Sequence, residues 1–408
     1  MVIVAGACGG VPPASNPVSS GPANGASASN VAPTDTQTAP PPVSAADLSV
    51  AEETAVDLSN EIVSVSPDGR LAATLDRDGR LCAVELPGGA ELNCTLLEER
   101  ALLDRRSIAW SPQSDRFVFH QDVFRFLHES DLWVLGVAGG DATNLTDDGL
   151  AGRINLSGDR DDAMIDVAPA WSPDGSQIVF GRLANRTRQN DLVVVAATGG
   201  PVEPLTTVAS GTLASYHGTA WPSNDVGILY TVLAPSNADI EQGVHVVGAD
   251  GTGQRLLVGT DPELDAAALV NVSSDGTTAL AVHEIALADG RLLETSPYVT
   301  VSIESGEITR FTPPGGTLPS ERPRITAATL SPDGSKIAYA YTLPRSGPES
   351  LLAIVNVAGG EPTVLSQGSW NPFPLHEGPG LSWPRDDLIY MPTDRQAGLL
   401  VSLATPAR

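Results

Sequence analysis

Short apolar runs separated by polar turn residues recur along most of the chain, and no stretch holds a 3.6-residue apolar period over the length of a helix. The clearest instance is Ala170-Trp171-Ser172-Pro173-Asp174-Gly175-Ser176-Gln177-Ile178-Val179-Phe180. In its turn, proline pre-sets φ, aspartate bonds back to the backbone and glycine accepts a positive φ. The pattern predicts two antiparallel strands joined tightly. Downstream, Asp191-Leu192-Val193-Val194-Val195 reads as a third strand, Thr198-Gly199-Gly200 as a turn, and Pro204-Leu205-Thr206 as a fourth.

The same unit returns through the chain. Its last apolar residue before each turn is Val65, Trp110, Trp171, Trp221, Val272, Leu330 and Trp383, a mean interval of about 53 residues, as in propeller-type arrays. The turns are Ser66-Pro67-Asp68-Gly69, Ser111-Pro112-Gln113-Ser114, Ser172-Pro173-Asp174-Gly175, Ser273-Ser274-Asp275-Gly276 and Ser331-Pro332-Asp333-Gly334, with looser forms at Pro222-Ser223-Asn224-Asp225 and Pro384-Arg385-Asp386-Asp387. Gly139-Gly140 and Gly359-Gly360 repeat the second turn.

On this motif, from about residue 46 to 404, the chain resembles the TolB-like, WD-repeat-like β-propeller family. The expected fold is all-β: a seven-bladed β-propeller of four-stranded antiparallel blades over residues 46–408, or six blades if the Trp221 or Val272 unit is incomplete. The last repeat stops near Leu403 after three strands, and Ala46 to Asp57 can supply its fourth, closing the ring without an exposed edge. The resemblance implies periplasmic protein interaction, as with peptidoglycan-associated lipoprotein.

Ahead of the repeats, Val4-Ala5-Gly6-Ala7-Cys8 resembles a lipoprotein lipobox, with residues 1–8 as the remnant of a signal and Cys8 as the lipidated residue; the bland reading is a tail with an incidental cysteine. Residues 9–45 are rich in Pro, Ser and Ala with few large apolar side chains, and are expected to form a disordered linker. The expected location is extracytoplasmic, at the periplasm or cell surface, with membrane contact only through that lipid. The formal charge of −26 argues against nucleic acid and anionic membrane as partners, leaving a protein or cell-envelope component. There is a single lysine, Lys336.

In such blades the links between strands one and two, and three and four, share one face and are tight here. The opposite face carries the long links: His120 to Ser130, Asp147 to Val167, Arg182 to Asn190, Thr207 to Gly218, Ile285 to Pro297, Thr312 to Arg324 and Ser366 to Gly380. Loops on a rigid scaffold carry variable chemistry, so function is expected on that face and at the channel mouth. Residues just before each inner strand should ring the mouth: Arg105, Arg106, Asp166, Tyr216, His217, Asp265, Arg322, Arg324, His376 and Glu377. No cofactor is expected, although His217 and His376 with the carboxylates offer donors for a divalent cation. Arg182, Arg186 and Arg188 stand out in so acidic a chain as carboxylate partners, against the reading of an ordinary surface. Phe124 and Phe126 form an apolar segment that either packs on a neighbouring blade or meets a partner.

Cys82 and Cys94 lie symmetrically about Gly88 and would face each other in a hairpin, as a disulfide or as two thiols. The chain has no His-Glu-x-x-His, no Gly-x-Ser-x-Gly and no phosphate-binding glycine loop. Two functions follow: a non-catalytic extracytoplasmic propeller that binds a protein or cell-envelope partner through its long-loop face, or a metal-assisted polysaccharide lyase or hydrolase at the channel mouth.

Overall fold

In the computed structural model, the residues described are 43–405 without 98–100, 104–107, 124–129, 150–163, 185–188, 209–212, 234–240, 261–265, 284–297, 311–323, 343–349, 369–379 and 395. Among them there is one 3-10 turn, Ala45–Asp47, and otherwise only strands. Cys8 and the 9–42 part of the linker lie outside the described residues.

The chain is an all-β propeller built from four-stranded antiparallel meanders. The first comprises Glu61–Val65, Leu71–Leu75, Arg80–Glu85 and Glu91–Leu96. Three later ones run from Leu213–Ser223 to Arg255–Val258, from Ala267–Val272 to Ile308–Arg310, and from Arg324–Leu330 to Thr363–Gly368. A closing sheet joins Ser382–Arg385, Leu388–Pro392 and Ala397–Ala404 to Ser49–Asp57 from the other end of the chain, with Ser49 opposite Ala404 and Asp57 opposite Ala397.

These are five separate sheets, which corrects the expectation of seven, or six, separate blades. The remaining strands form one nine-stranded sheet. It consists of a meander through Arg116–Val123 and Ser130–Gly136, and another through Met164–Trp171, Gln177–Ala184, Gln189–Ala196 and Glu203–Val208. What fuses them is a parallel pairing of Ile165 with Ser130. The inner strand at Met164–Trp171 starts several residues before the apolar run at Ala170 and so reaches its neighbour's edge.

The middle strands are buried on both faces because each sheet stacks face to face on the next, so they read as unbroken apolar runs, as in Ile178-Val179-Phe180, rather than alternating. Trp110, Phe117 and Phe119 join Val63 and Leu81 in one such layer; Trp171 and Phe180 meet Val118 and Leu132 in another; Trp221 and Tyr230 meet Val179 in a third. Tyr390 packs with Ile62 and Cys82, and thereby joins the closing sheet to the first. Trp171 Nε1 also donates to the Ala109 carbonyl at 2.8 Å, which ties the two meanders of the large sheet.

The serine-aspartate turns are built alike. The Ser172 and Ser66 hydroxyls each donate to the aspartate two residues on at 2.6 Å, and Ser331 does so to Asp333 at 2.5 Å. Lys336, the sole lysine, is buried here and donates to Ser335 Oγ at 2.6 Å. In six sheets or meanders the register between first and second strand slips by a bulge, for example between Val167 and Ala170, where Ala168 takes φ 51°. Bulges add right-handed twist.

Candidate functional site

Strand direction puts the beginnings of first and third strands, and the ends of second and fourth strands, at one end of the propeller. That end carries every long link. Of the residues expected to ring its mouth, Arg105, Arg106, Asp265, Arg322, His376 and Glu377 lie outside the described residues, as do Arg186, Arg188, Phe124 and Phe126. Tyr216 and His217 belong to the strand Leu213–Ser223, at a register slip between Ala214 and Thr219, and Arg324 begins Arg324–Leu330 opposite Thr342. Gly218 follows at φ 58°, where a Cβ would come within 2.4 Å of the Leu269 carbonyl oxygen, so this strand lies against the backbone of the next sheet. His120 and Arg182, expected in links, are also in strands.

Asp166 is the expected mouth residue whose surroundings are fully described. It is 0 % exposed, and Arg182 on the neighbouring strand binds it through both arms, Nε to Oδ1 and Nη2 to Oδ2, each at 2.7 Å. The pairing follows from the bulge, which sets Asp166 directly opposite Arg182. Ser130 Oγ donates to the Asp166 carbonyl at 2.8 Å and accepts from the Asp166 amide at 3.0 Å, so the seam of the two meanders is hydrogen-bonded on both sides of this residue. Burial pushes the carboxyl up from the usual aspartate range, while hydrogen bonding and charge from Arg182 and a hydrogen bond from Thr146 pull it down. Asp131 and Asp148 add negative charge around the guanidinium, which also lies 5.5 Å from the Phe180 ring centroid.

Arg182 therefore has its acceptor within the fold. The pair ties the beginning of one inner strand to the second strand of its own meander, Ser130 ties it to the meander before, and the Asp166 carboxylate is engaged by Arg182 within the fold. Nothing in residue types alone shows this; the missing signal was the bulge.

A second feature at the same end is a cleft of about 640 Å³ lined by Ser59, Asn60, Glu61, Asp76, Arg77, Asp78, Asp394 and Gln396. It straddles the joint between first and closing sheets, where Gln396 Nε2 donates to the Ser59 carbonyl at 2.6 Å. Four carboxylates face one arginine, in keeping with the acidity of the whole chain. Cys82, the third residue of Arg80–Glu85, and Cys94 on Glu91–Leu96 are directly opposed on neighbouring strands and are joined as a disulfide.

Fold and site together define a β-propeller protein with its structural turns at one end and its long links at the other. No protein-family profile and no curated protein matches the chain. Among solved structures, an oligogalacturonate lyase from Vibrio parahaemolyticus is similar at TM-score 0.54 and 13 % identity, over 87 % of this chain and 98 % of that one. A protein described as TolB from Agrobacterium tumefaciens aligns over 88 % of this chain and 98 % of its own at 12 % identity, with a TM-score of 0.39. The likeness to the lyase is one of fold, and the second similarity adds no argument. Among the described residues, no helix is long and apolar enough to cross a membrane.

Proposed function

We propose that this chain is a non-catalytic, extracytoplasmic propeller that binds a protein or cell-envelope partner through its long-loop end. We further read the nine-stranded sheet as two blades sharing one edge pairing, which gives a seven-bladed ring with the chain's two ends meeting in the closing blade. The layer of Trp171, Phe180, Val118 and Leu132 between its two meanders supports this count, since it is the same kind of layer that separates the free-standing sheets.

The observation that carries the function is the contrast between the two ends. Serine-aspartate and Gly-Gly turns repeat at one end with the same internal bonds, whereas the other end has links of unequal length and composition and an acidic cleft. A rigid scaffold with variable loops at one end is suited to recognition. The charge of −26 favours a partner that presents basic groups, drawn in by long-range attraction that weakens with salt. A periplasmic or surface location and a lipid on Cys8 belong to the same reading.

Photo-crosslinking in cells tests it. Amine-directed reagents are unsuitable because the one lysine is buried. A photoreactive residue is therefore introduced at exposed Asp78 or Asp147, at the long-loop end, and at exposed Ser176 or Glu361, at the turn end. Adducts to a specific partner are expected from the first pair and not the second. Adducts only from the turn end would overturn the reading. Formation of unsaturated uronate from oligogalacturonate and a divalent cation by the purified chain would replace it with the lyase.

A further inference from the structure

We propose that Cys82, Cys94 and Glu91 form a redox-gated site for a thiophilic divalent cation of the zinc class, shut while the cysteines are bonded and opened by their reduction. One donor atom from each of the three residues lies within 4.8 Å of the others. The arrangement depends on the ladder of the first sheet. Cys82 is directly opposite Cys94 with Cα atoms 4.1 Å apart, so the two side chains leave the sheet on the same side. Glu91 is three residues before Cys94 and would face the other side in a regular strand. A bulge between Ala83 and Val84, which sets Glu91 opposite Val84, brings it back. Its carboxylate comes to 3.7 Å from Cys94 Sγ.

Access and charge fit the same role. Cys82 is fully buried, whereas Cys94 is half-buried on the outermost strand of the sheet, which makes Cys94 the more accessible of the two to a reductant. A dithiol reductant attacks Cys94 Sγ, the S–S bond breaks and Cys82 leaves as thiolate. The reductant's second thiolate then closes its own disulfide and releases Cys94. Two electrons and two protons pass to the chain, which then holds two thiols. Cation binding displaces those two protons, leaving two thiolates and one carboxylate as donors and a fourth position for water. The bound site carries one net negative charge, and Arg80, 2.9 Å from the Glu91 carboxylate, balances it.

The experiment uses the full chain with Cys8→Ser, to remove the third thiol, and zinc ion as the probe. Oxidised and reduced protein are titrated against a chromophoric zinc chelator, and far-ultraviolet circular dichroism is recorded on the same samples. The expected result is one more zinc per chain in the reduced form than in the oxidised form, with sheet content retained. That increment should vanish in Cys82→Ser and weaken by about tenfold or more in Glu91→Gln. Equal zinc uptake in both redox forms overturns the proposal, as does an increment that survives Cys82→Ser or leaves Glu91→Gln unchanged. A reduced chain that loses its sheet signal and does not regain it with zinc also overturns it.

Discussion

Replacing Arg182 with methionine is expected to destabilise the propeller by about 3–5 kcal/mol near neutral pH, the usual cost of stranding one member of a buried pair. Methionine keeps an apolar stem near the Phe180 ring and removes the charge that faces Asp166 at 2.7 Å. The carboxylate, 0 % exposed, then loses the cationic partner that the described residues give it and must take up a proton or force the seam apart. Burial already pushes this carboxyl up, and loss of Arg182 removes the main opposing pull. The folded-state value of the variant thus lies above the unfolded one, so stability is retained at acid pH and lost as pH rises, at up to about 1.4 kcal/mol per pH unit. The assay is equilibrium urea unfolding followed by tryptophan fluorescence at pH 5 and pH 7.5. The variant's deficit relative to wild type should be larger at the higher pH. Asp166→Leu combined with Arg182→Met should recover much of it, because an apolar pair leaves no charge buried. A single-variant loss under about 1 kcal/mol, in the range of an exposed ion pair, or a deficit equal at both pH values would refute the argument.

Gly218→Ala meets both a positive φ and the Leu269 carbonyl, whereas Gly359→Ala meets a positive φ with open space around it, so the first should be the more destabilising by about 1 kcal/mol or more in the same urea assay. Trp171→Phe removes the indole donor to the Ala109 carbonyl, which keeps its place opposite Val118 in the sheet, so the loss is that of one hydrogen bond at the seam, about 0.5–1.5 kcal/mol measured as a shift in unfolding midpoint. Burial raises Asp333, but hydrogen bonds from Ser331 and Ser335 and the Lys336 charge outweigh it and hold the carboxyl at about 2. Its contribution to stability is therefore present above the unfolded-state value and lost as pH falls towards about 2, and Asp333→Asn should flatten the acid limb of the stability curve there.

Much of the fold was legible because its signal is local and repeated. Each serine-aspartate turn carries its own hydrogen bonds and needs nothing from elsewhere in the chain, so Ser172 to Gly175 identifies two strands on its own. The closing strand was legible from a different cue, since three strands before Leu403 left an edge that Ser49–Asp57 fills. The site was less legible. Counting symmetrically outward from the turn pairs Asp166 with Leu183, which would have left Arg182 facing elsewhere. A one-residue bulge, with Ala168 at a positive φ, shifts that pairing to Arg182. Beside the bulge, Asp166 is bonded to Ser130 of the other meander, a long-range contact that no window of sequence contains. The same applies to the parallel pairing of Ile165 with Ser130, which merged two meanders expected to be separate.

The closing sheet has a mechanical meaning as well as a topological one. Ser49 at the start of one strand lies opposite Ala404 at the end of the other, so both ends of the described chain leave at the same end of one antiparallel pair. A force applied between the two ends would open this pair like a zipper, one residue couple after another, instead of shearing all its hydrogen bonds at once. A load carried through one end alone puts no such tension across the pair. A propeller held from one end can therefore keep a grip at its long-loop end under pull, while one stretched between its two ends should open first at its own clasp.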